Sequence, residues 1–189
     1  MKASLPALFV LALCCSCGTN TWPTESLVSA GVQQPAAPGV SLRTEYYVSP
    51  DFTPGEQAAI DRAVQDWARA TEGDAAPVAM TRSEDPSVPL RFEQVDLQPE
   101  YPADLGKTLG LPGPTVTIAL DRDYNQVVAT WPSSPAYFSV LEFTARHELG
   151  HAMGLPHLAS GLMAAKPAPV DTPIDSVAVD ALETLRAGG

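Results

Sequence analysis

All three histidines of this 189-residue chain fall inside one stretch of eleven residues, "HELGHAMGLPH", at positions 147–157. His147 and His151 are four residues apart, so on a helix they stand one turn apart on the same side and can hold a single ion between them. A helix that ran on would carry His157 away from that ion. Gly154 accepts the left-handed conformation that ends a helix and turns the chain back, and Pro156 blocks continuation. Three imidazoles leave the fourth position of a tetrahedral zinc ion to water, which is the arrangement of an open, catalytic site rather than a closed, structural one. Glu148, next to the first ligand, then has a task of its own: its carboxylate can take a proton from a water whose pKa zinc lowers to about 7. A module that merely held zinc and captured a peptide would need the histidines but not the acid.

The helix that must carry the pair is expected over residues 139–153, with "SVLE" as a capping box, Gly154 as its stop, and Leu141, Ala145, Leu149 and Ala152 as its buried stripe. That leaves His147 and His151 on a neighbouring face. A second amphipathic helix is expected over residues 53–71, where Ile60, Ala63, Val64, Trp67 and Ala68 recur at helical spacing. "TPGE" supplies its start, with Thr53 as N-cap, Pro54 at the first helical position and Glu56 closing the capping box. Strands are expected at "VSLRTEYYV", "PVAMT", "VPLRFEQV" and "TVTIALDRD", separated by Pro- and Gly-rich loops. A last helix near residues 174–186 packs Val177, Ala181, Leu182 and Leu185. This order describes one α+β domain over residues 40–189, with no internal repeat.

Upstream of it the composition changes. Lys2 and the apolar run at residues 5–13 read as an export signal over residues 1–17, too short to span a membrane. The Pro-, Gly- and Ala-rich residues 18–39 read as a tether. Cys14, Cys15 and Cys17 close the apolar run, and none follows, so the folded domain has no disulfide available to it. A formal net charge of −11 argues against nucleic acid and anionic lipid as partners, because both repel an acidic surface. Asp121 and Asp123 offer two carboxylates to calcium, an ion that takes six or more oxygens; a solvated turn is the simpler reading.

The full HExxHxxGxxH pattern, followed by Met163 in "SGLMAAKP", resembles the metzincin zinc metallopeptidases, and among them the matrixin-like catalytic domains of bacterial lipoproteins. The resemblance implies a metzincin-like zincin domain with a twisted, mixed sheet, an active-site helix, a Met-turn and a C-terminal helix. It implies His147, His151 and His157 as ligands of one Zn2+, Glu148 as general base, Gly154 as the motif's turn and Met163 as the Met-turn beneath the metal. "TVTIALD" resembles the edge strand along which a peptide substrate lies extended. "LCCSC" resembles a lipobox with Cys17 acylated, which implies a lipid anchor at the outer membrane; a plain secretory signal remains the alternative. The chain departs from the family in having no fourth histidine for a structural zinc and no tyrosine closely after Met163. The activity implied is zinc-dependent endopeptidase action on a protein or peptide substrate, and the alternative is a non-catalytic, zinc-holding, peptide-binding lipoprotein.

Overall fold

The computed structural model describes residues 39–97, 105–111, 113–122, 135–164 and 172–188, with the backbone alone at 135–137. The signal-like segment, Cys17, the tether up to residue 38, and Asp123 lie outside the described residues. The described chain is α+β. In order it forms β1 (Glu45–Val48), α1 (Pro54–Ala70), β2 (Thr81–Ser83), β3 (Leu90–Val95), β4 (Gly106–Leu109), β5 (Val116–Asp121), α2 (Pro135–Ala152) and α3 (Ser176–Ala187).

The five strands make one mixed sheet in the order β2-β1-β3-β5-β4. β1 pairs in parallel with β2 and β3, β3 pairs in parallel with β5, and β4 runs antiparallel to β5 with Gly106 opposite Leu120 and Thr108 opposite Ile118. One core joins the sheet to the helices. Val48, Phe92, Ile118 and Leu120 come from the strands, Ile60, Val64 and Trp67 from α1, and Leu141, Ala145 and Leu149 from α2.

α1 begins where its local chemistry dictates. Thr53 accepts from the Glu56 backbone N–H, Glu56 Oε2 accepts from the Thr53 N–H at 2.7 Å, and Pro54 opens the helix. Its buried side chains Ala59, Ile60, Ala63, Val64 and Trp67 form one stripe. Trp67 is fully buried, and its indole Nε1–H donates to the Arg146 carbonyl at 2.9 Å, which fixes α1 against α2.

Five expectations need correction. The strand expected at "PVAMT" is displaced: β2 runs Thr81–Ser83 and shares only Thr81 with that run. β5 is an internal strand rather than an edge: β3 and β4 flank it, and every residue of "VTIALD" except Thr117 is buried. The edge beside it is β4, four residues too short and too polar to declare itself by alternation. α2 begins at Pro135, which puts "SVLE" inside the helix, and Ser139 is not its cap. The first strand starts at Glu45 instead of Val40, because the Val40 N–H bonds to the Ala152 carbonyl at the end of α2. Finally, α3 buries Ala178 and Leu182, whereas Val177 is 49% exposed.

Candidate metal centre

α2 holds His147 and His151 one turn apart, with their ring centroids 4.7 Å apart and the rings nearly perpendicular. The helix then stops at Gly154, whose φ is 101°. The Gly154 N–H bonds to the His151 carbonyl at 2.9 Å and the Leu155 N–H to the Gly150 carbonyl at 3.0 Å, the paired bonds of a Schellman ending. The turn swings His157 back, 4.7 Å from the His151 ring and 5.5 Å from the His147 ring. Among the described residues these three histidines are the one cluster suited to hold a metal ion, their ligand nitrogens all lying within 4.8 Å of one another.

The outer nitrogens decide how the inner ones face. His147 Nδ1 meets the Leu162 carbonyl at 2.7 Å and His151 Nδ1 meets the Leu155 carbonyl at 2.8 Å. A carbonyl only accepts, so each Nδ1 carries the proton and, in a neutral ring, each Nε2 presents a bare lone pair. Those two Nε2 atoms face each other at 3.1 Å. Two lone pairs so close repel unless a cation lies between them, and ligands about 2.0–2.1 Å from a tetrahedral zinc stand roughly 3.3 Å apart. His157 Nε2 is buried without a hydrogen-bond partner. The donor set therefore fits a metal ion.

Burial also keeps the rings neutral, as ligands must be. Desolvation pushes His147 and His151 down to about 4 and lowers His157 from the ordinary histidine value.

The loop after His157 closes beneath α2. The Leu158 N–H bonds to the Met163 carbonyl at 2.8 Å, and Leu158 and Ala164 form an isolated bridge. Met163 is fully buried against Gly150, where a methyl group would overlap its sulfur. Leu162, beside Met163 in this loop, supplies the carbonyl for His147 Nδ1.

The sequence matches no family model and no curated protein. Function is then read from the site's own chemistry.

Glu148 is 2% exposed and follows His147 directly on α2. Thr108 Oγ1 of β4 lies 2.9 Å from its Oε2 and 2.9 Å from its backbone carbonyl oxygen. Two residues of the site went unforeseen. Thr108 is one. The other is Asp175, whose Oδ1 caps α3 through the Ala178 N–H at 3.0 Å while its Oδ2 accepts the Leu162 N–H at 3.1 Å. "PID" before a helical run signals the cap, but nothing local signals the second bond. Asp121 is buried at the end of β5, its N–H bonded to the Leu105 carbonyl at 3.0 Å. Two cavities of about 460 and 340 Å³ open beside Leu42 and Arg186, and neither is lined by a histidine or Glu148.

Proposed function

We propose that this chain is a zinc-dependent endopeptidase of metzincin type, with His147, His151 and His157 as ligands and Glu148 as general base. One observation carries the reading: two Nε2 lone pairs face each other across 3.1 Å, a third buried Nε2 lacks a partner nearby, and a carboxylate sits one residue from the first ligand. An all-imidazole donor set with an open position suits zinc, which when bound would supply a water of lowered pKa and polarise the carbonyl under attack.

The chain's own groups do the rest. The Leu162 and Leu155 carbonyls hold the His147 and His151 rings in one tautomer and one orientation. The Glu148 carboxylate takes a proton from the attacking water and passes it to the amine nitrogen as the C–N bond breaks. The role of substrate-aligning edge, expected of the run now seen to be internal, falls to β4, whose outer side has no neighbouring strand in the described sheet. An extended peptide can add there by main-chain hydrogen bonds. The apolar N-terminal run and "LCCSC" support export and an anchor at Cys17, with the outer membrane as the site of attachment.

The test assays peptide cleavage and bound zinc in the parent, Glu148→Gln and His151→Ala. The expected outcome is one zinc and cleavage in the parent, zinc without cleavage in the glutamate variant, and loss of both in the histidine variant. A parent that cuts nothing in a diverse peptide library, yet binds peptides equally well with and without Glu148, overturns the reading in favour of a peptide-binding module.

A further inference from the structure

We infer that Thr108 is a positioning residue for Glu148, so that the strand proposed to align the substrate also sets the aim of the general base; this rests on the peptidase reading above. The geometry begins at Gly106. A Cβ there would stand 2.6 Å from Thr144 Cγ2 and 3.0 Å from Glu148 Cγ, so the missing side chain lets β4 settle directly on α2. Residues two apart on a strand share a face, and Thr108 therefore meets the same helix one step further along. Its Oγ1 reaches both Glu148 Oε2 and the Glu148 backbone oxygen at 2.9 Å.

The two side chains differ in the freedom they bring. Glutamate has three side-chain torsions, and a base that wanders among rotamers is often misaimed. Threonine is branched at Cβ and stiff at χ1, and here it stands on a backbone fixed by pairing to β5. A hydroxyl donating to a carboxylate makes a charge-assisted bond, stronger than one to a neutral carbonyl, so its one proton goes to Oε2 while the carboxylate is ionised. The rigid partner thus fixes the flexible one. Contact between the edge strand and the base also means that a peptide pairing along β4 loads the element that holds Glu148.

The experiment compares Thr108→Val, Thr108→Ala and Thr108→Ser with the parent, each with its zinc content and melting curve. Removing the hydroxyl should lower kcat about tenfold to a hundredfold, the usual cost of losing a partner that orients a site group, with KM and zinc content unchanged. Serine should restore most of the rate. Valine and alanine variants that keep the parent's kcat, or a serine variant as slow as both, overturn the proposal. A second readout needs no turnover: in the metal-free protein, the melting shifts of Thr108→Val and Glu148→Ala should be less than additive, because either change alone removes the bond. Additive shifts overturn the contact itself. If the parent has no peptidase activity, the peptidase reading and the catalytic role fall together, while the melts still decide whether the pair exists.

Discussion

α1 and α2 have nearly equal lengths, 17 and 18 residues, and pack against each other, yet they are held by different means. α1 is self-sufficient in its local chemistry: a capping box starts it, and one apolar stripe faces the core. α2 is buried at every position from Val140 to Gly150 except Glu142, and that stretch includes Thr144, Arg146, His147 and Glu148. A buried polar group left without a partner costs about 1–3 kcal/mol, so each must be met, and three of the four are met from outside the helix. Thr144 bonds back to the Val140 carbonyl, Arg146 pairs with Asp66 of α1 at 3.3 Å, His147 uses the loop at Leu162, and Glu148 uses β4. One helix is specified by its own residues. The other is specified by the parts it organises.

That contrast can be broken most sharply at Glu148. Glu148→Gln should reduce peptide cleavage by about 10²–10⁴ while leaving bound zinc and the melting temperature near those of the parent. Steady-state kinetics beside metal analysis checks this, and an equal loss of zinc would mean that the carboxylate serves the fold. Trp67→Ala should do the reverse. Emptying a fully buried indole site costs about 3–5 kcal/mol, read by denaturant unfolding, and activity should follow the folded fraction.

The histidines of the site carry a pH dependence of their own. Their folded-state values lie below the ordinary 6.5, with His147 and His151 near 4, so the unfolded chain binds protons first. Metal-free stability should therefore be unaffected by these groups above about pH 6.5, fall as pH drops through the window between 6.5 and 4, and level off below it as far as they are concerned. Melting curves at stepped pH measure this, and saturating zinc should hold the site neutral to lower pH. A metal-free melting temperature that does not fall between pH 6.5 and 4 would contradict burial of neutral rings. The smallest effect is expected at the start of α1, where Thr53→Ala removes one cap and should cost about 1 kcal/mol with cleavage unchanged.

The same contrast explains what could be read in advance. α1, the two-histidine spacing and the Gly154 ending are written within a few residues of each other, and the structure places them where the sequence puts them. The converging third histidine was legible too, because the glycine that turns it back is adjacent. β4 was not, since a four-residue strand containing glycine and lysine carries no alternation strong enough to notice. Nor was Thr108, which becomes relevant only once β4 lies on α2. The edge role was carried to β5 by resemblance alone, whereas its nearly continuous burial is the mark of a strand paired on both sides. Val177 kept the helical period but fell one position off the face that α3 turns inward, which Ala178 occupies instead.

Asp175 joins two events that the linear chain keeps apart. It lies eighteen residues after His157, and one of its oxygens caps α3 while the other holds the Leu162 N–H, whose own carbonyl orients His147. A nascent chain that has emerged as far as His157 already owns all three histidines but lacks the clasp that fixes the first of them. The orientation of the His147 ring is therefore coupled to the docking of α3, so that a half-made chain holds that ring less firmly than a finished one. Under the exported, metal-binding reading proposed above, this order favours loading at the destination over loading during synthesis.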